Sequence, residues 1–205
     1  MVLNINDRQK ELIPDLSSEI SMVVGVGGIG NWLALNLALI GVKTLILIDP
    51  DTIEETNLNR TFFRLSDVGK AKVEALKEMI LERRSDCIVV THQDYLTLKH
   101  LNMYKNVHMF DCTDTLITRE FVQNHRELLK DYIKLGYDGF EGTICHDDFT
   151  SGSWGEDEMN SYRIVPSFFG TPQVLATLGI TEVLLKPNIK NKSKNIDVTT
   201  LLQEG

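Results

Sequence analysis

Continuous apolar runs alternate with stretches of helical periodicity along the first two thirds of the chain. "ISMVVG" (20–25) is apolar throughout, as a parallel strand must be when helices cover both its faces. "NWLALNLALIG" then sets Trp32, Leu33, Asn36, Leu37 and Ile40 at helical spacing, with Gly41 as the C-terminal stop. "TLILID" (44–49) predicts a second strand. From Asp67, "DVGKAKVEALKEMILERR" has helical periodicity, with Glu74, Lys77 and Glu78 on its solvated face. "CIVVTH" (87–92) and "NVHMFDCTD" (106–114) predict a third and a fourth strand, "ITREFVQNHRELLK" (117–130) a helix and "DYIKLGYDG" (131–139) a fifth strand. Parallel neighbours need crossover connections, so this alternation implies an α/β fold with a doubly wound, mostly parallel sheet.

The last third changes character. "GTICHDDFTSGSWGEDEMNSYRIVP" is rich in Gly, Ser and Asp and predicts short antiparallel strands joined by a long loop, an antiparallel C-terminal extension of the sheet. Thr171 is placed to cap a helix over "QVLATLGITEVLLK" with Pro172 at its first position. Beyond Pro187 the polar "NIKNKSKNIDVTTLLQEG" reads as a tether, so the expected division is one domain over 1–187 and a C-terminal tail over 188–205.

Composition narrows the function classes. A chain of 205 residues, 42% hydrophobic and 24% charged, buries one ample core. A formal net charge of -8 argues against a nucleic-acid-binding surface, which relies on clustered Lys and Arg. No apolar run is long enough to span a bilayer and "MVLNINDRQKELIPD" is too polar for a secretory signal, so no membrane association is expected and the cytoplasm is the expected location. Cys87, Cys112 and Cys145 stand singly, with no C-x-x-C pair, and no structural zinc is expected.

Candidate chemistry starts where the first strand turns into the first helix. Gly25, Gly27, Gly28 and Gly30 let the backbone approach a phosphate, and the helix N-terminus directs N–H groups at it. Asp49 ends the second strand, where a carboxylate takes ribose hydroxyls, so a Rossmann-like nucleotide site is expected. NAD needs no more than this. The following residues suit a triphosphate: "DPDTIEETNLNRTFF" adds Asp51, Asn57 and Arg60, "GKAKVEAL" adds Lys70 and Lys72, and "DCTDT" places Asp111 and Asp114 at the end of the fourth strand. Cations that neutralise phosphate oxygens and a carboxylate that holds magnesium are the parts of nucleotidyl transfer. Singly, Arg60 reads equally well as a surface ion pair, Lys72 as a solvated helix residue and Asp114 as an N-cap.

"GVGGIG", "LIDPDTIEETNLNR", "GKAKVEAL" and "DCTDT" together resemble the adenylation domain of the ubiquitin-activating superfamily, of the ThiF and MoeB type, most specifically over residues 21–119. The resemblance implies ATP and Mg²⁺ as cofactors, Asp49 on the ribose, Asp51 near the triphosphate, Asn57, Arg60 and Lys72 on phosphates, and Asp114 on Mg²⁺. It implies a homodimer in which Arg8 of "DRQ" reaches the other subunit's ATP, although the segment between Arg8 and the glycine loop is short for the family. The implied reaction activates a carboxylate as an acyl-adenylate with release of pyrophosphate, with Arg60, Lys72 and Asp114 as the catalytic groups.

With no zinc pair and no thiol relay, the compact chain is similar to the adenylating member of iron-guanylylpyridinol cofactor biosynthesis in methanogens, which implies a small carboxylate substrate and an acyl-accepting partner protein. "TSGSWGEDEMNSYR" would then cover the substrate, with Trp154 or Tyr162 stacking and Arg163 meeting a phosphate; two packed aromatics in a surface loop are the plainer reading. Cys145 reads as a packed strand cysteine rather than a nucleophile, and Cys112 as core. His146, Asp147 and Asp148 read as a solvated loop, because adjacent residues of a strand point different ways. The alternatives are adenylation of the C-terminal glycine of a ubiquitin-like sulfur carrier, an NAD-dependent oxidoreductase, for which no motif places a hydride-transfer acid, and a non-catalytic nucleotide-sensing subunit.

Overall fold

The computed structural model describes residues 7–149, 166–185 and 192–200. Seven strands form one sheet: β1 (Ile20–Val24), β2 (Thr44–Ile48), β3 (Ile88–His92), β4 (His108–Asp111), β5 (Asp131–Asp138), β6 (Glu141–His146) and β7 (Lys192–Asp197), in the order β3-β2-β1-β4-β5-β6-β7. The first five pair in parallel, and β5, β6 and β7 are antiparallel. The order reverses between β1 and β4, and ligands of open α/β sheets bind in the crevice beyond the strand ends at such a point.

The apolar runs are explained by cover on both faces. Val23, Leu45, Leu47, Phe110 and Ile133 face one core, filled from α1 (Gly28–Leu39) by Leu33 and Leu37, from α2 (Lys72–Arg83) by Val73, Leu76 and Ile80, and from α5 (Gly170–Ile180) by Leu175 and Ile180. Their neighbours Met22, Val24, Ile46, Ile48, Met109 and Tyr132 face a second core with Leu101 of α3 (Leu98–Met103) and Val122 of α4 (Ile117–Gln123). Each such aliphatic side chain contributes roughly 1.5–3 kcal/mol on burial. Among the described residues no helix is long and apolar enough to cross a membrane.

Several expectations are corrected. The helix read from Asp67 starts at Lys72, because Gly69 takes φ 89° and Leu65–Asp67 forms a separate 3₁₀ turn. The helix read over 117–130 stops at Gln123. The short α3 has too few residues to show a period. Thr171 lies inside α5, its hydroxyl donating to the Gly139 carbonyl at 2.8 Å, so it ties the helix to the β5–β6 turn and does not cap it. Part of the expected tether is β7, in register along all of β6. The expected boundary at 187, and Trp154, Tyr162 and Arg163, lie outside the described residues.

Candidate functional site

The glycine loop is built by contacts that leave no room for side chains. Gly25 takes φ 79°, and a Cβ there would lie 2.9 Å from the Cys112 carbonyl carbon. A Cβ on Gly30 would meet the Gly25 carbonyl oxygen at 1.9 Å, and one on Gly28 the Tyr137 hydroxyl at 2.7 Å. The loop is thereby pressed against the ends of β4 and β5. Gly27, by contrast, has open space where its Cβ would be, and it sits immediately before the first turn of α1.

Asp49 closes the loop from the β2 side. Its Oδ2 accepts the Val26 N–H at 2.7 Å and its Oδ1 the Asp51 N–H at 2.9 Å, leaving a lone pair on each oxygen. Burial raises its pKa, against the opposing charge of Lys72 and the two N–H donors. The chain after β2 then bridges the chain before α2, through Thr52 and Ala71 and through the Lys72 N–H to the Asp51 carbonyl at 3.0 Å. This pairing brings the first side chain of α2 back to β2, with Lys72 Nζ 2.7 Å from Asp51 Oδ2.

Arg60 is held by its flanks. Trp32 Nε1 donates to the Arg60 carbonyl at 2.9 Å and the Phe62 N–H donates to Asn31 Oδ1 at 2.7 Å, so the first turn of α1 fixes the segment. The guanidinium turns onto its own loop, donating to the Thr56 carbonyl at 2.6 Å and Asn59 Oδ1 at 3.0 Å. Asn57 accepts the Glu54 N–H at 3.1 Å, which makes it a cap of a 3₁₀ turn. Asp114 is exposed beyond β4. Arg8 is not brought to these residues within one chain: neighbouring Gln9 donates to the carbonyl of Leu39, at the far end of α1, about 18 Å along a twelve-residue helix from the loop.

Two buried residues that sequence reasoning did not assign hold the Asp114 loop. Lys134, fully buried in β5, donates from Nζ to Asp111 Oδ1 at 3.2 Å, Thr113 Oγ1 at 3.0 Å, the Thr115 carbonyl at 3.2 Å and the Thr113 carbonyl. The Tyr132 hydroxyl donates to Asp111 Oδ2 at 2.8 Å, and its pKa is raised by burial and then by the Asp111 charge. Asp111 is thus buried and engaged on both oxygens within the protein, and Asp114 is the carboxylate of this strand end that faces solvent. The available signal was a lone charge inside the apolar "DYIKLG", since a buried ammonium needs an acid within reach.

The cysteines carry no reactive geometry. Burial drives the Cys112 thiol far above the ordinary thiol range, with the Asp111 charge adding to it. Cys145 is fully buried within β6, as a packed strand cysteine.

Residues 3–149, most of the chain, match the ThiF family. The chain belongs to that family. This ThiF-family chain is 34% identical over 137 residues to the NEDD8-activating enzyme E1 catalytic subunit of Arabidopsis thaliana, an alignment covering 59% of the chain and 30% of that protein. It is 37% identical over 98 residues to the tRNA threonylcarbamoyladenosine dehydratase of Escherichia coli K12, covering 46% of the chain and 37% of the relative. It spans well under half the length of either. The crystal structure of E. coli MccB with ATP matches with a TM-score of 0.70 over 89% of this chain and 65% of that one, at 23% identity, which shows a common fold.

Proposed function

We propose that the ThiF-family chain is an ATP-dependent adenylyltransferase that activates a carboxylate. The observation that carries this reading is the Lys72–Asp51 pair, which adds a cation and a second acid beside Asp49 and the glycine loop. A dinucleotide site needs the loop and one acid; a triphosphate needs more positive charge. In this reading the N–H groups at Gly27 and the start of α1 meet phosphate, and Asp49 takes the ribose through its unused lone pairs. Lys72 exchanges Asp51 for a phosphate oxygen, and Arg60 unfolds from the Thr56 carbonyl to do the same. Asn57 supports Arg60 through its loop.

Asp114 suits a magnesium ion, being an exposed carboxylate on a loop anchored by Lys134. The ion would neutralise charge on the departing pyrophosphate. The substrate carboxylate oxygen attacks the α-phosphorus, the bond from that phosphorus to the bridging oxygen breaks, and pyrophosphate leaves with the electron pair. No proton has to move and no side-chain nucleophile is required, which fits the inert cysteines. The chain supplies position and charge.

A small carboxylate, such as that of guanylylpyridinol, is the preferred substrate, with transfer to a separate acceptor. The C-terminal glycine of a ubiquitin-like protein is the second reading, supported by the likeness to the NEDD8-activating subunit. A homodimer is proposed on the same footing: with Gln9 tied to the far end of α1, an ATP contact by Arg8 would be to another subunit's site. ATP–pyrophosphate exchange tests the reading. Exchange driven by a pyridine carboxylate and not by a Gly-Gly-ended protein selects the first substrate class, and the reverse selects the second. Saturable NADH binding without ATP binding would overturn adenylation altogether.

A further inference from the structure

A second cluster lies at the other end of the sheet. β4 and β5 begin there with His108 and Asp131 paired in register, and the antiparallel β6 returns to end there at His146, which pairs with Ile133, the second residue after Asp131. His108 and Asp131 are each 4% exposed and His146 is 0% exposed. Asp147 follows with φ 49°, a left-handed conformation that aspartate tolerates better than most residues. That turn brings the Asp147 carboxylate back beside His146. It is why two adjacent residues, expected to point apart, converge.

His146 is the anomaly. A buried imidazole almost always gives or accepts a hydrogen bond, yet both ring nitrogens of His146 are buried without one. Its Nε2 lies 3.7 Å from Asp131 Oδ1 and 4.0 Å from Asp147 Oδ2. Both separations exceed the ~3.2 Å limit of a good hydrogen bond. They are close to the ~3.4 Å between two ligands that each sit ~2.1 Å from one tetrahedral zinc ion. One ligand atom from each of Asp131, His146 and Asp147 falls within 4.8 Å of the others.

The surroundings orient the two carboxylates. Arg126 Nε and Nη2 hold Asp147 Oδ1 at 2.5 Å and Oδ2 at 2.8 Å, and His108 Nδ1 lies 2.8 Å from Asp131 Oδ2. His108 Nε2 in turn meets Glu19 Oε2 at 2.8 Å, which Lys130 also engages at 2.7 Å. Ligand carboxylates engaged by outer partners in this way are a usual feature of metal sites.

We propose that Asp131, His146 and Asp147 bind one divalent transition-metal ion of the zinc class, which pins the start of β5 to the end of β6. The nitrogen–oxygen donor set selects such an ion over magnesium or calcium. Asp147, whose side chain is 11% exposed, is the outermost ligand. The site is separate from Asp114, which lies beyond the opposite end of β4.

The test is elemental analysis of the full chain, expressed with zinc and dialysed against metal-free buffer, together with visible absorption after Co²⁺ loading. One equivalent of bound metal with ligand-field bands is expected, retained in Asp114→Ala and weakened more than about 100-fold in His146→Gln, beyond the loss typical of an outer partner. If His146→Gln does not fold, Asp147→Asn, at the site's exposed rim, carries the same expectation. No stoichiometric metal in the parent chain, or full retention in the folded variant, overturns the proposal. ATP–pyrophosphate exchange is read in parallel, so its failure is distinguishable from failure of this site.

Discussion

Replacing Lys134 by Met keeps the four-atom stem and removes the ammonium. In the native chain Nζ serves four oxygens, from Asp111, Thr113 and Thr115, with no solvent exposure. Removing one partner of a buried pair leaves the other charge uncompensated and costs about 3–5 kcal/mol. With a urea slope of roughly 3 kcal/mol/M, the unfolding midpoint should fall by about 1–1.7 M. Circular dichroism during urea titration reads the shift. Lys134→Met combined with Asp111→Asn should recover part of the loss, because neither member is then left as a lone buried charge. The anchored Thr113–Thr115 segment carries Asp114, so exchange activity in Lys134→Met should fall even below the denaturation range. A midpoint within about 0.3 M of the parent, or a double variant worse than the sum of its parts, refutes the assignment of Lys134 as the anchor.

Lys72→Ala removes a pair whose acid is 60% exposed, so thermal stability should change by under about 1 kcal/mol while exchange falls at least tenfold; equal losses in both would make the residue structural. Gly30→Ala drives a Cβ into the Gly25 carbonyl and should cost about 3 kcal/mol in denaturant unfolding, with ATP binding lost. Burial holds the Asp49 pKa above its unfolded value, so any stability it contributes is present at low pH and is lost as pH rises through the folded pKa. Ribose binding needs the ionised form, so ATP affinity measured by calorimetry should weaken on acidification at a pH above the ordinary carboxylate range, and Asp49→Asn should flatten that dependence. Asp114→Ala should abolish exchange in a folded protein, and unchanged activity removes the metal role.

The five parallel strands were legible because burial on both faces demands unbroken apolar runs, as in "ISMVV" and "TLILI". The glycine loop was legible because Gly25 and Gly30 are sterically required. Asp49, Asp51 and Lys72 were legible as candidates, but their gathering depends on the bridge between Thr52 and Ala71, which no local pattern announces. Lys134 and Asp111 were missed as partners because their pairing joins β4 to β5 across the intervening helix α4, which no local pattern announces. The Asp131–His146–Asp147 cluster was hidden by the fold-back of the β5–β6 hairpin and by the turn at Asp147. The turn cap made by Asn57 Oδ1 was not legible in the sequence; it leaves the amide N–H groups of that side chain out of the cap.

The strand formed by "KSKNID" has a further consequence. Outermost of the described strands, it covers the open backbone groups of β6, whose Gly142, Thr143, Ile144 and Cys145 are buried. Its own outward rim is short, lysine-bearing and poor in apolar residues, a composition that discourages recruitment of another chain's strand. The Glu182–Lys194 ion pair fastens it to the turn after α5. The polarity that hides this segment from a search for hydrophobic alternation is therefore what suits it to be a guard rail against self-association, and a chain shortened by that strand would leave a sticky margin behind.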